Sequence, residues 1–145
     1  MALKTCKECG SPVFVLDHVA KPNIKEQVFE PWASEISRLA QMQNVFCKLS
    51  GMVTEANWRK WKIKDFDPYL DMVFNTFGPD RVLFGSDWPV CTVAGTYNQI
   101  LGLLENYITQ LSPWEQAKIM GETALKVYHL KTAKHSDRDF PGRSA

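Results

Sequence analysis

Three short strings concentrate the residue types that can move protons or hold a cation: Asp17-His18, Lys48-Leu49-Ser50 and Ser86-Asp87-Trp88. A carboxylate such as Asp87, set beside a divalent cation or a cationic side chain, can take a proton from water and so generate a hydroxide equivalent. A neutral imidazole such as His18 can ligate zinc through one nitrogen or donate a hydrogen bond to a carbonyl, with its second nitrogen oriented by an outer acceptor. Each residue has a plainer alternative. His18 could satisfy a hydrogen bond at a strand end, and Asp87 could cap the turn of Gly85-Ser86-Asp87-Trp88-Pro89. Lys48 could lay its stem over apolar surface or pair with an acid, and Ser50 could be a turn hydroxyl; for these two the structural role is the expectation. Asp17 is adjacent to His18 but alternates away from it along a strand, so it is not expected to orient the ring.

A fourth string, Thr5-Cys6-Lys7-Glu8-Cys9-Gly10, has the Cys-x-x-Cys spacing of half a zinc ribbon. The second half is missing, because Cys47 and Cys91 are single residues 91 − 47 = 44 positions apart. A thioredoxin-like redox pair should follow a strand and open a helix, and this pair does neither. Residues 1–12 are therefore expected to be a flexible appended segment without metal, with metal shared between chains as the alternative. Cys47 and Cys91 are expected to be small buried hydrophobes.

The elements that must position these residues follow a βα rhythm. Val13-Phe14-Val15-Leu16, Val45-Phe46-Cys47-Lys48-Leu49 and Arg81-Val82-Leu83-Phe84 are β-branched and aromatic runs of strand length. Between them, Pro31 opens a helix with Trp32, Ile36, Leu39 and Ala40 on one face. Asp67 then caps a second helix carrying Leu70, Val73, Phe74 and Phe77, stopped by Gly78-Pro79. A third helix starts near Thr96 with Ile100, Leu103, Leu104, Tyr107 and Ile108 inward. Ser112-Pro113-Trp114-Glu115 reads as a capping box for a short helix ending near Gly121, and a last helix from Glu122 to about Leu130 should bury Ala124, Leu125 and Tyr128. From Lys131 onward polarity rises and periodicity is lost, as in a loose tail.

Strands alternating with helices imply a parallel sheet, since parallel neighbours need a crossover. The intervals from Leu16 to Lys48 (48 − 16 = 32) and from Lys48 to Phe84 (84 − 48 = 36) lie close to the ~31 residues per unit of a (β/α)8 barrel of ~250 residues. A whole barrel does not fit in 145 residues. In such folds the functional side chains collect at the C-terminal strand ends, which is where His18, Ser50 and Asp87 stand.

Composition removes several classes of function. With 17 Lys+Arg against 16 Asp+Glu the formal net charge is +1, too little for a nucleic-acid binder held by phosphate charge or for a polybasic membrane anchor. No apolar run approaches the ~20 residues of a membrane span, and the first residues lack a signal-peptide core. A reducing cytoplasm is the expected setting.

The strings LDHVAKP (16–22), VFCKLSGMVTEA (45–56) and FGPDRVLFGSDWPV (77–90), in this order, resemble the amidohydrolase-related family of metal-dependent hydrolases, in particular its sugar-lactonase and dicarboxylate-lactonase branch. The resemblance implies a partial TIM (β/α)8 barrel of the α/β class. Residues 13–130 would be its C-terminal part, with strands similar to the sixth, seventh and eighth, and residues 131–145 a polar tail. It matches His18 to the histidine ending the sixth strand and Asp87 to the aspartate ending the eighth, which in the family helps to activate water. On this resemblance His18 and Asp87 are the catalytic pair and the candidate ligands of a divalent metal such as zinc. The His-x-His pair that metal-binding members carry on their first strand has no counterpart, which leaves a cofactor-free site as the other expectation. Trp88, with Trp58 and Trp61, could stack on a sugar ring. The implied activity is water-mediated opening of a lactone or related cyclic ester or amide. The alternative is a form inactive alone, a non-catalytic oligomerising or partner-binding module. Three parallel strands leave two open edges, so a homo-oligomer or a partner completing the barrel is expected.

Overall fold

In the computed structural model the described residues are 12–131, so the Cys6–Cys9 pair and the tail beyond 131 lie outside them. The three runs form β1 (Phe14–Leu16), β2 (Val45–Leu49) and β3 (Val82–Phe84), all parallel, in the order β1-β2-β3. Val15 stands opposite Phe46, Leu16 opposite Cys47, and Lys48 opposite Leu83. Because side chains alternate, Val45, Cys47, Leu49 and Val82 share one face and Val15, Phe46, Lys48 and Leu83 the other.

The first face carries the main core. Against it pack α1 (Trp32–Ala40), α2 (Asp67–Phe77) and α3 (Tyr97–Ile108), through residues such as Ile36, Leu70, Val73 and Leu104. Cys47 and Cys91 are free thiols within this core, as expected of small hydrophobes. Burial alone pushes the Cys47 thiol up to about 12. The second face is covered by the C-terminal helical segment, where Val127 and Ala124 close over Phe46, Leu83 and Val15. The Lys126 ammonium lies 5.8 Å from the Phe46 ring centroid.

Several helix ends depart from the sequence expectation. Pro31 occupies the cap position of α1 rather than its first turn. Phe66, not Asp67, precedes α2; its backbone is already near-helical at φ −96° and ψ −19°, so Asp67 becomes the first helical residue. The expected capping box forms between Ser112 and Glu115 at the start of α4 (Pro113–Ala117), and a second, not anticipated, opens α3, where Gln99 N–H donates to Thr96 Oγ1 at 3.3 Å and Thr96 N–H to Gln99 Oε1 at 2.8 Å. The expected break at Gly121 is absent. Lys118–Glu122 is a π-helical turn that joins α4 to α5 (Thr123–Val127). The wider turn rotates the inward face, so Thr123 and Val127 are buried in place of Leu125, and Tyr128 is 45% exposed. No helix among the described residues is long and apolar enough to cross a membrane.

Candidate active site

The site begins with an unusual turn. Immediately after β1 the chain enters a short 3-10 segment, Asp17–Ala20, in which His18, Val19, Ala20 and then Lys21 all have φ between 50° and 55°. This left-handed conformation costs a non-glycine residue roughly 1–2 kcal/mol, and most for a β-branched one such as Val19. Packing sustains it. Val19 is fully buried, its carbonyl accepts a hydrogen bond from Trp32 Nε1 at 2.7 Å, and Lys21 N–H donates to the His18 carbonyl at 2.7 Å. Backbone strain held by its surroundings in this way is characteristic of functional sites. Its effect is to swing His18 across the end of β2.

There the ring meets Ser50 and Gly51. Ser50 Oγ lies 2.9 Å from His18 Nδ1, and Ser50 is only 4% exposed, so this hydroxyl is spent on the ring and is not the simple turn hydroxyl expected. Gly51, at φ +59°, has no side chain for a steric reason: a Cβ there would lie 2.7 Å from His18 Nδ1. From the end of β3 comes Asp87, also left-handed at φ 58°, whose carbonyl accepts from Cys91 N–H at 2.9 Å. Its Oδ1 lies 3.9 Å from His18 Nδ1, with side chains 30% and 15% exposed for His18 and Asp87 respectively. Hydroxyl and carboxylate therefore address the same ring nitrogen. A Ser-His-Asp relay would place them on opposite nitrogens, so the geometry is not that of a serine nucleophile. Nε2 makes no hydrogen bond among the described residues and is left for whatever enters the site.

A ring of charge surrounds this core. Lys48 Nζ pairs with Asp17 Oδ1 at 2.5 Å, in keeping with the expected ion pair and with Asp17 not serving His18. Burial works against the Lys48 charge, but the hydrogen bond and charge of Asp17, with the Tyr128 hydroxyl, outweigh it and raise its pKa. Gly85 makes room here: a Cβ at this position would lie 3.1 Å from both Lys48 Cδ and Ser50 Cβ. Lys21 Nζ pairs with Glu55 Oε1 at 2.9 Å; that hydrogen bond and charge raise the Lys21 pKa, and the Asp87 carboxylate adds to the effect. Lys21 and the two glycines were not singled out from the sequence. The one available signal was the placement of Ser50-Gly51 directly at a strand end.

Trp88, beside Asp87, is 66% exposed, while Trp58 and Trp61 lie on the β2–α2 connection with each indole N–H tied to a backbone carbonyl. Trp32 and Trp114 are in α1 and α4, as expected. The described residues do not by themselves fit a catalytic zinc. No three His, Cys, Asp or Glu side chains gather as a ligand set among them, and His18 and Asp87 supply two donors where such a zinc takes three.

Comparison with known proteins gives these features a context. Residues 12–130 match the family model described as Amidohydrolase. The chain is 38% identical over 135 residues to an L-fucono-1,5-lactonase of Burkholderia multivorans, covering 86% of the chain and 46% of that protein. It is 29% identical over 124 residues to a 2-pyrone-4,6-dicarboxylate hydrolase of Comamonas testosteroni, covering 79% of the chain and 40% of that protein. A crystal structure of an amidohydrolase from Burkholderia multivorans with bound zinc superposes with a TM-score of 0.86 at 35% identity, over 89% of this chain and 48% of that one. The chain thus spans about half the length of the relatives it matches. Its parallel three-stranded sheet, its crossover helices and this match make the chain a member of the amidohydrolase family, corresponding to part of that family's TIM barrel.

Proposed function

We propose that the strand-end site serves water-mediated opening of a lactone or related cyclic ester or amide. Asp87 takes the proton of the attacking water, the new C–O bond forms at the carbonyl carbon, and the ring bond to the leaving oxygen breaks. The proton then passes to that oxygen, so the product carries a carboxylate and a hydroxyl. His18, its Nδ1 held by Ser50, presents Nε2 toward the carbonyl or a cation. Trp88 offers an exposed indole face to a sugar ring. The observation that carries this reading is the convergence of His18, Ser50 and Asp87 from three successive strand ends in a chain 38% identical to an L-fucono-1,5-lactonase.

A divalent metal such as zinc belongs to the reading only as an added ligand. His18 and Asp87 would each give one donor, and the remaining donors would come from barrel units this chain does not span. A bound cation would polarise the carbonyl. None of the proton movements above depends on it, and a cofactor-free site is the other form of the same proposal.

A second reading rests on the edges of β1 and β3, which no strand among the described residues pairs: a non-catalytic module that pairs with a second copy or with a partner completing the barrel. A cytoplasmic setting goes with both readings and is supported by the two buried free thiols, Cys47 and Cys91.

The test is hydrolysis of L-fucono-1,5-lactone and other sugar lactones, followed by acid release with and without added zinc. The unaltered chain should open at least one lactone faster than buffer, and Asp87→Asn should lower that rate by about 100-fold or more with an unchanged melting temperature. Equal rates for the unaltered chain and Asp87→Asn refute catalysis by this site. A dimer or hetero-complex in light scattering, with no lactone opened, would favour the second reading.

A further inference from the structure

Away from the strand ends, a groove of about 620 Å³ runs between the β2–α2 connection and α3. One wall carries Trp58, Arg59, Trp61 and Lys62, and the other carries Gln99 and Asn106. Both indoles are locked. Trp58 Nε1 donates to the Thr54 carbonyl at 2.8 Å, and Trp61 Nε1 to the Ala94 carbonyl at 2.7 Å, with Trp61 also edge-on to Phe66 at 5.4 Å between centroids. Trp58 nevertheless remains 54% exposed, so a fixed aromatic face stands open to solvent. Among the described residues neither Arg59 nor Lys62 forms an ion pair, and no carboxylate lines the groove. Gln99 Oε1 accepts from the Thr96 amide at 2.8 Å, which leaves its NH2 free to donate. Gly95 keeps the space between Trp61 and Gln99 clear: a Cβ there would lie 3.2 Å from Gln99 Oε1 and 3.4 Å from the Trp61 ring.

We propose that this groove is a binding site for a six-membered ring compound bearing a carboxylate. Its volume is that of small-molecule sites, and its lining is shared about evenly between apolar surface and polar groups. The ring lies on the Trp58 face, the carboxylate meets the Arg59 guanidinium with Lys62 adding charge, and the Gln99 and Asn106 amides take ring substituents. Locked indoles lose little freedom on binding, which favours a weak but real affinity for so small a ligand. A sugar acid and an aromatic acid share this chemistry.

The experiment uses the unaltered chain and follows its tryptophan indole N–H signals by NMR. Sodium glucuronate and sodium benzoate are the probes, with glucose and inorganic phosphate as controls. At least one carboxylate should shift the Trp58 and Trp61 signals saturably, with a Kd of about 1 mM, while glucose and phosphate leave them in place. Response to glucuronate alone identifies the sugar acid, and to benzoate alone the aromatic acid. Arg59→Gln and Trp58→Leu should each weaken binding about tenfold. The Trp32 indole signal, tied to the Val19 carbonyl in the core, reports that each variant remains folded. Asp87→Asn should leave the affinity unchanged, because the groove is separate from the strand-end site. The proposal is overturned if neither carboxylate gives a saturable shift, if phosphate gives an equal one, or if a folded Arg59→Gln variant binds as the unaltered chain does.

Discussion

Replacing Gly51 by alanine tests whether the end of β2 was shaped around His18. The substitution has two separable costs. The backbone cost comes from φ +59°, a conformation disfavoured by roughly 1–2 kcal/mol for a residue with a Cβ. The steric cost comes from the new methyl group, which would sit 2.7 Å from His18 Nδ1 and 3.0 Å from Cγ. To relieve these contacts the ring must withdraw by several tenths of an ångström. That lengthens the 2.9 Å contact to Ser50 Oγ and forfeits a hydrogen bond of about 1 kcal/mol. Together the two terms predict a loss of about 2–3 kcal/mol. In the His18→Ala background the atoms in closest contact are gone and only the Cβ, 3.1 Å away, remains. The same glycine substitution should then cost only about 1–2 kcal/mol, the backbone term. Urea denaturation of the four members of this cycle, read by circular dichroism, should give a coupling of about 1 kcal/mol. An equal cost of Gly51→Ala in both backgrounds would refute the claim that the glycine is there for the ring.

Ser50→Ala should destabilise the chain by about 1 kcal/mol, seen as a lower urea midpoint, since it removes the partner of His18 Nδ1. Ser112→Ala should cost a similar amount, about 1 kcal/mol, through loss of the α4 capping box. Cys47 predicts a pH dependence. Its thiol titrates near 9.0 in the unfolded chain and is pushed up to about 12 by burial, so its contribution is fully present below pH 9.0 and is lost as pH rises from there toward about 12. Within that window the loss should approach about 1.4 kcal/mol per pH unit, and Cys47→Ala should flatten the profile. Denaturation midpoints at pH 8 to 11 for the two proteins check this; parallel curves would show that the thiol is not responsible.

The sheet was the most legible part of the chain, because β-branched runs separated by amphipathic helices at barrel-like intervals admit few other arrangements. The placement of His18 and Asp87 at strand ends was legible for the same reason, whereas their proposed roles came from the strings that resemble the family. Ser50 was not, since a serine before glycine is far more often a turn hydroxyl, and its value depends on a left-handed run at 18–21 that no propensity announces. Val19 in particular opposes that conformation and adopts it only because the core receives its side chain. The misplaced face of α5 has a different cause. The π turn at Lys118–Glu122 adds to the helical period without any proline or glycine signature beyond a Gly121 that reads as a stop.

The covering of the sheet's second face by Val127 and Ala124 also bears on how the chain is made. Phe46 and Leu83 are synthesised well before the helix that covers them here, which is complete only some forty residues beyond Leu83 (127 − 83 = 44). At elongation rates of roughly 5–20 residues per second this interval lasts several seconds, far longer than hydrophobic collapse. Throughout that interval the second face lacks the helical cover that Val127 and Ala124 give it in the folded chain. Proteolytic clipping before Thr123 would return the finished protein to that same vulnerable condition.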